Sequence, residues 1–359
     1  MKRASLAGLV LVATAAVAGA LLAPRILLAG WLAAWWWALG LMLGAFVNGW
    51  MSRLTGGRWG EPVQAAALAA RRALPWLLLA LLPLAVAHRW LYPWADPASG
   101  WLRDIARPGF LRAWLSPGFF IARLVVYALA WWWITQPASL LHKARAAASL
   151  ILHVLLTSLA AVDLLMSLVP GWFSTAFGLV VLSAQALSGA ALAVLWTPGA
   201  PGEATHRPVE PDVPVSRDLG NLLLMWVMTA AYLAFMQFLI IWSENLPREI
   251  AWYVPRLQTG WAGVGLALVI VQLVLPFLAL LMRGIKDQPH RLVRVAMLLL
   301  AATALDSAWT VLPSVDPHTL HGWWLFPLLF AGAALLMLVP ARKSRAAYAP
   351  SEGELQHAG

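Results

Sequence analysis

Long apolar runs alternate with polar segments along the whole chain, and this pattern predicts a bundle of membrane-spanning helices. Each run is close to the roughly 20 residues that an α-helix needs to cross the hydrocarbon core of a bilayer. The segments between the runs are mostly short and carry nearly all of the charge. We predict ten spans, near residues 5–23, 29–51, 74–91, 117–136, 146–169, 174–196, 219–242, 259–282, 292–312 and 322–340.

The composition agrees with this pattern. Hydrophobic residues make up 62% of the 359 positions and charged residues only 11%, against about a quarter charged in soluble domains. Many of the 23 tryptophans lie near the ends of the runs, as at residues 131–133 and 323–324, where amphipathic rings settle at headgroup depth. The predicted fold class is therefore an all-α polytopic membrane protein.

The basic residues predict how the bundle is oriented. The net charge of +10 comes from Lys and Arg scattered over the loops, without a basic stripe, which disfavours nucleic acid as a partner. With the N-terminus cytoplasmic, the inner segments hold 17 Lys and Arg and the outer segments seven, in agreement with the positive-inside rule. Both termini are then cytoplasmic. The first run fits a cleaved signal peptide or a retained helix, and we favour the retained helix.

Two aspartates within predicted spans mark an internal repeat. Asp163 and Asp306 are 143 positions apart, and each is followed seven positions later by a proline, Pro170 or Pro313. The same shift lays spans two to four over spans six to eight, and units with an even number of spans share one orientation. We therefore predict two parallel four-helix bundles, at 29–170 and 171–313, the second with a Pro-rich cytoplasmic linker at 197–218. An N-terminal helix in 1–28 and a last helix with a disordered tail in 314–359 flank them.

The chain contains no cysteine, which excludes disulfides, thiolate metal sites, iron–sulfur clusters and covalently attached haem c within it. Only His153 lies deep in a predicted span, and a haem b held by two histidines is therefore disfavoured. We predict no metal site, and any redox centre has to belong to a partner.

Four stretches resemble a known family. Residues 158–178, with DLLMSLVPGWFST at 163–175, resemble a segment of the membrane subunits of alternative complex III, a quinol:cytochrome c oxidoreductase whose membrane parts belong to the NrfD-like superfamily. Residues 54–60, 117–123 and 235–261 are similar to the ActF-type subunit in particular. The chain departs from the family pattern at Leu164, where a tryptophan usually follows the aspartate, and at Arg248, where an acidic residue is common.

The resemblance implies a helical subunit, in a bacterial inner membrane, of a respiratory complex that oxidises quinol and passes electrons towards a periplasmic cytochrome or a terminal oxidase. Haem c and iron–sulfur clusters are then expected on other membrane and periplasmic subunits, with no cofactor bound in this chain. The subunit would be structural, and a proton path or contact with quinol stays open. Membrane lipid is the other expected partner.

Ionisable residues inside spans are costly and are functional candidates by default. Asp163, His153 and Asp306 are candidates for a proton path; the alternatives are a loop cap for each aspartate and an interhelical hydrogen bond for His153. Arg123 is a candidate for contact with quinone or a carboxylate such as Asp163, and the alternative is snorkelling to the interface. Gln237 is a second quinone candidate, or an interhelical hydrogen-bonding residue.

The outer loop between spans seven and eight is a candidate docking site for a periplasmic electron-transfer subunit. The alternative, compatible with docking, is a short interfacial helix that begins at the proline of this loop. The candidate docking residues are Glu244, Asn245, Pro247, Arg248, Glu249 and Arg256.

Two other functional classes remain as alternatives. A secondary transporter or channel also uses parallel repeats and buried carboxylates, although the spans show no paired Gly or Pro breaks at corresponding depths. A membrane enzyme acting alone is disfavoured, because no pairing of nucleophile and base and no metal cluster stands out.

Overall fold

The chain folds into helices joined by turns. The computed structural model describes residues 10, 13–14, 16–102, 108–196, 215–317 and 325–347, with no strand among them. The principal helices are α1 (Pro24–Thr55), α2 (Gly60–Ala70), α3 (Leu74–Leu79), α4 (Leu82–Leu91), α5 (Pro108–Trp114), α6 (Pro117–Ile134), α7 (Lys143–Leu164), α8 (Phe177–Val194), α9 (Val215–Glu244), α10 (Trp261–Leu268), α11 (Leu275–Leu281), α12 (Pro289–Val311) and α13 (Leu325–Ala347). One-turn helices lie at Ala138–Leu141, Pro247–Ile250, Val254–Leu257 and Arg283–Lys286.

The chain is an all-α polytopic membrane protein. In its described part, seven helical segments are long and apolar enough to cross a membrane, and an eighth span results if the bent pair Gly60–Leu79 and Leu82–Leu91 is counted as one. Two of the ten predicted spans, 5–23 and 322–340, lie partly outside the described residues, and the apolar first part of α13, Leu325–Leu335, is shorter than a full span. The predicted linker from residue 197 to 214 and the tail from residue 348 lie outside the described residues as well.

The segment 52–73, expected as an inner loop, is largely helical. Helix α1 continues to Thr55, and α2 begins at Gly60. Alanine is the strongest helix former, and alanines with Val63 form the buried face of α2. Glu61 at the start and the arginines that follow α2 interrupt the apolar run, which is why hydropathy alone does not identify this helix. The span then bends by 51° between Leu79 and Leu82.

Helices α1 and α8 form the centre of the bundle and approach each other closely. A Cβ atom added at Gly44 would lie 1.7 Å from the backbone oxygen of Gln185, and one added at Gly189 would lie 2.0 Å from the backbone carbon of Gly44. Only glycine fits at these two positions. Small residues at a helix crossing let the two backbones pack against each other, which is a main source of association between helices in lipid.

Asn48 stabilises the crossing of α1 and α8 through three hydrogen bonds. Its side-chain nitrogen donates to the backbone oxygens of Gly44 at 2.7 Å and Ala186 at 2.8 Å. Its side-chain oxygen accepts a hydrogen bond from Trp226 Nε1 at 2.8 Å. One fully buried side chain therefore connects α1, α8 and α9.

Several helix contacts recur under exchange of the two predicted units. Helix α1 packs on α4, α7 and α12, and α8 correspondingly packs on α9, α12 and α7. Helix α6 packs on α7 as α10 packs on α12. This arrangement is what two units related by an axis along the membrane normal would give, and the duplication itself stays a prediction.

We predict that Gly44→Ala disrupts the central crossing. The new methyl group collides with backbone that cannot move away alone, so the loss of stability should be at least about 1–3 kcal/mol, the usual cost of overpacking. The measurement is the thermal midpoint of the detergent-solubilised protein by fluorescence-detected size exclusion. Gly263→Ala is the control, because nothing lies within 4 Å of a Cβ at that helical position. Equal midpoints for both variants would contradict the close crossing.

Candidate functional site

The carboxylate of Asp163 is the centre of a cluster of buried hydrogen bonds at one end of the bundle. Asp163 lies in the last turn of α7 and is fully buried. Arg123 contacts it through two atoms, Nε to Oδ2 at 2.7 Å and Nη2 to Oδ1 at 3.0 Å. Tyr127 donates its hydroxyl to Oδ2 at 2.6 Å, and Trp114 donates Nε1 to Oδ1 at 2.9 Å. The two oxygens thus accept four hydrogen bonds, which compensate for the burial of the charge.

Helix geometry explains why two of these donors converge. Arg123 and Tyr127 are four residues apart on α6 and so lie on the same face, one turn apart. The Arg123 guanidinium also lies over the rings of Trp114 at 4.2 Å and Phe119 at 4.5 Å. These rings close the way to the surface and leave Arg123 only 7% exposed. The structure therefore shows Arg123 paired with the carboxylate of Asp163, and it does not show the alternative, in which Arg123 snorkels to the interface.

The backbone that follows Asp163 is fixed by two further hydroxyl groups. Ser167 donates to the backbone oxygen of Asp163 at 2.5 Å, and Tyr92 donates to that of Leu164 at 3.0 Å. Both bonds satisfy carbonyl groups that the end of a helix leaves without partners. A single 3-10 turn, Met166–Leu168, then leads the chain to Pro170.

Trp172 connects this segment to the loop after α9. Its ring stacks on Trp252 with centroids 4.5 Å apart, and its Nε1 donates to the backbone oxygen of Glu249 at 2.9 Å. Gln237 lies between the same two segments: it accepts from Ser174 Oγ at 3.1 Å and donates to Tyr253 OH at 3.1 Å. Gln237 thus bonds within the protein, but to the loops before α8 and after α9, and not to another helix as the alternative to a quinone contact had it.

The loop after α9 presents most of the predicted docking residues to the outside. Glu244, Asn245, Pro247 and Arg248 are exposed and Glu249 is half-buried. Asn245 has a φ of 50°, in the left-handed region that asparagine tolerates, and its N–H donates to the backbone oxygen of Ile241 at 3.1 Å. Asn245 directly follows the last residue of α9. Pro247–Ile250 forms a one-turn helix that begins at its proline, as the alternative prediction of a short helix in this loop expects.

Arg256 is not on this surface, and its assignment to the docking site needs correction. It is fully buried, with its guanidinium 3.5 Å from the ring centre of Trp252. It donates to the backbone oxygens of Trp252, Trp309 and Thr310 and to Ser314 Oγ. Burial lowers the pKa of Arg256 to about 9, which leaves it protonated near neutral pH. A cation bonded to the last carbonyl groups of α12 is placed favourably for the helix dipole.

His153 lies deeper along α7, on its buried side. Its Nδ1 is 3.1 Å from Thr157 Oγ1, and its ring centre is 5.9 Å from that of Trp50. Its Nε2 is buried without a hydrogen-bond partner among the described residues. Asp163 and His153 thus share one helix, but the structure shows no hydrogen-bonded chain between them in its described part.

Asp306, the repeat counterpart of Asp163, has different surroundings. It is half-buried on α12, and no described residue forms a hydrogen bond or ion pair with its carboxyl group. The positions 143 residues after Arg123 and Tyr127 are Leu266 and Ile270, which have no donor to offer. The two aspartates therefore match in sequence and differ in chemistry.

Sequence reasoning missed three partners of the Asp163 region. Tyr127 could have been predicted as a partner of Asp163, because it follows Arg123 by one turn on the same helix. Nothing in the sequence identifies Trp114 as a partner, since it lies in the predicted outer loop between spans three and four. Tyr92 lies just past the predicted end of its span, at a depth where an aromatic residue is ordinary.

No family model matches the chain, and no curated protein matches it. The resemblance to the membrane subunits of alternative complex III therefore stays an expectation that depends on the residues that carry it.

We predict that the two charges of the buried pair depend on each other. Asp163→Ala leaves the Arg123 charge buried without its partner, which should cost about 3–5 kcal/mol. Replacing both residues, Arg123→Met with Asp163→Leu, removes both charges and should cost clearly less. Thermal unfolding of the three proteins in detergent is the measurement.

Asp287→Ala is the control for this experiment. It breaks an ion pair that is about one-third exposed, in which Arg217 Nε lies 2.6 Å from Asp287 Oδ1, and pairs in contact with water contribute little. If the double variant is as unstable as Asp163→Ala, the uncompensated charge is not the cause of the instability.

Proposed function

We propose that this chain is an integral membrane subunit of a quinol-oxidising respiratory complex, similar to the ActF-type subunit of alternative complex III. Its part is mainly structural: it holds an outer docking surface in place on a rigid helix bundle. Haem c and iron–sulfur clusters would belong to partner subunits, because the chain has no cysteine to bind them.

One observation carries the proposal. Three of the stretches that resemble the family contact one another at the Asp163 end of the bundle. Residues 117–123 meet residues 158–178 through the Arg123 and Asp163 pair, and residues 158–178 meet residues 235–261 through the stacked rings of Trp172 and Trp252. Segments that lie far apart in sequence thus form one continuous cluster, which is what a shared functional surface requires.

The positive-inside distribution supports placing this cluster on the outer side of a bacterial inner membrane. The loop after α9 is then periplasmic, with exposed Glu244 and Arg248 and exposed apolar side chains beside them, Trp242 at 65% and Leu246 at 49% exposure. An apolar centre with charges at its edge is the usual composition of a protein interface.

A transporter or channel is the second candidate. The exchange symmetry of the helix contacts and the 51° bend of one span favour it, because transporters place substrate sites at broken helices of repeated units. In such proteins the breaks occur at corresponding positions of both units. Here the repeat counterpart of the bent segment is α9, a continuous helix of 30 residues, and this favours the subunit.

Purification of a tagged chain in mild detergent tests the proposal. We expect subunits with haem c and iron–sulfur clusters to co-purify and the preparation to oxidise quinol with cytochrome c as acceptor. The measurements are identification of the co-purified proteins by mass spectrometry, a haem spectrum and the quinol oxidation rate. A colourless protein recovered alone would contradict the proposal, and substrate uptake by that protein in vesicles would favour the transporter.

A charge reversal in the same preparation tests the docking surface. Glu244→Lys should reduce the amount of the periplasmic subunit that co-purifies, more strongly at low salt, while the membrane subunits remain. Glu61→Lys is the matched control, because Glu61 is also exposed and lies at the start of α2, beside the other end of α1. Equal retention in both variants would exclude this loop as the docking site.

We further predict that Asp306 belongs to a proton path and Asp163 does not. Asp163 is paired with a fixed positive charge, and protonation would break that pair, whereas Asp306 has no such partner among the described residues. Asp306→Asn should slow proton release during quinol oxidation by about a hundredfold, a typical contribution of a positioned proton-transfer group. Asp163→Asn should lower the amount of assembled complex and leave the protons released per quinol unchanged. The opposite pattern would reverse the assignment.

A further inference from the structure

An apolar groove runs along the bundle between α1, α12 and α13, away from the Asp163 cluster. Its volume is about 260 Å³, and it is open where the lining residues Met297, Ala301 and Ala331 are exposed. Apolar and small side chains line it, among them Leu41, Met297, Ala301, Phe330 and Ala334. Trp37 also lines the groove. Its indole nitrogen Nε1 donates a hydrogen bond to Thr303 Oγ1 at 3.1 Å, so it is not free to bind a ligand.

A basic residue continues the groove at the end remote from Asp163. Arg294 is exposed and precedes Met297 and Ala301 by one and two turns on the same exposed side of α12. It forms no hydrogen bond or ion pair with any described residue. Arg294 therefore places a positive charge at one end of an otherwise apolar surface.

The length of this surface matches one leaflet of a bilayer. Ten residues separate Arg294 from the groove residue Ala304, which corresponds to about 15 Å along a helix at 1.5 Å per residue. That is about half of the roughly 30 Å hydrocarbon core. A molecule with its headgroup at Arg294 would thus extend an apolar chain to the middle of the membrane.

We propose that this groove binds an anionic phospholipid, with one acyl chain against Ala301 and Phe330 and the phosphate paired with Arg294. Basic residues at the membrane surface attract anionic headgroups, and basic pockets between helices bind them specifically. An isoprenoid tail or a helix of a partner subunit would fill the apolar groove equally well, but neither needs the charge of Arg294. The site is independent of which complex the chain belongs to.

Lipid titration of the detergent-purified chain tests the proposal, with phosphatidylglycerol and phosphatidylcholine of identical acyl chains as probes and native mass spectrometry as the readout. We expect phosphatidylglycerol to bind more tightly. Arg294→Gln should weaken its binding about fivefold, the effect of one basic residue near the surface, and leave phosphatidylcholine unaffected. Ala301→Trp fills the exposed groove and should weaken both lipids.

Two matched variants control for general effects of charge and bulk. Arg53→Gln removes an exposed arginine from the last turn of α1, and Ala148→Trp adds the same ring to an exposed position of α7 outside the groove. Neither should change the binding of either lipid. The proposal is overturned if Arg294→Gln binds phosphatidylglycerol like the unaltered protein, or if Ala301→Trp and Ala148→Trp have equal effects. Binding of a quinone instead, unaffected by Arg294→Gln, would assign the groove to an isoprenoid chain.

Discussion

The ion pair of Asp163 and Arg123 is the constraint on which one end of this bundle depends. Either charge alone would be expensive where both are buried, so the last turn of α7 and the first turns of α6 have to stay together. The pair is also directional, because the guanidinium presents two donors in a fixed plane to the two carboxylate oxygens. Tyr127 and Trp114 complete the set of donors, and Trp114 thereby brings α5 to the same point. Three helices are held by one carboxyl group.

The consequences extend along the chain from that point. Because the end of α7 is fixed, the turn that follows carries Trp172 to a defined position, where its ring meets Trp252 and its indole N–H meets the backbone of Glu249. The position of the loop after α9, in the second predicted unit, thus depends on the ion pair at the end of α7, in the first unit. A surface loop held in this way keeps its shape without a large core of its own, which a docking surface needs if it is to bind without first being ordered.

The apolar pattern of the sequence predicted the fold class well, since the bilayer imposes both the length and the hydrophobicity of each span. Helix α2 was missed, because its face is made of alanines and its ends are charged.

Two roles were predicted for Arg123, and the sequence could not distinguish between them, because the rings that separate it from the interface come from α5 and α6 together. Arg256 looked exposed for a related reason: a charged residue between two spans is ordinarily at the surface. Its burial depends on where the last carbonyl groups of α12 lie, and hydropathy does not contain that information.

In both predicted units an arginine binds the end of the last helix, α7 or α12, but it does so through different groups. In the first, a carboxylate in the last turn of α7 binds an arginine from a neighbouring helix. In the second, Arg256 binds the terminal carbonyl groups of α12 directly, and the positions equivalent to Arg123 and Tyr127 are the apolar residues Leu266 and Ile270. Asp306 is consequently not needed for that contact, and no described residue pairs with it. A carboxyl group within a span is costly to keep, so one without a structural partner in the described part of the chain calls for another reason to be there. Proton transfer is the reason that fits its chemistry, and the asymmetry between the units supports Asp306 over Asp163 for that role.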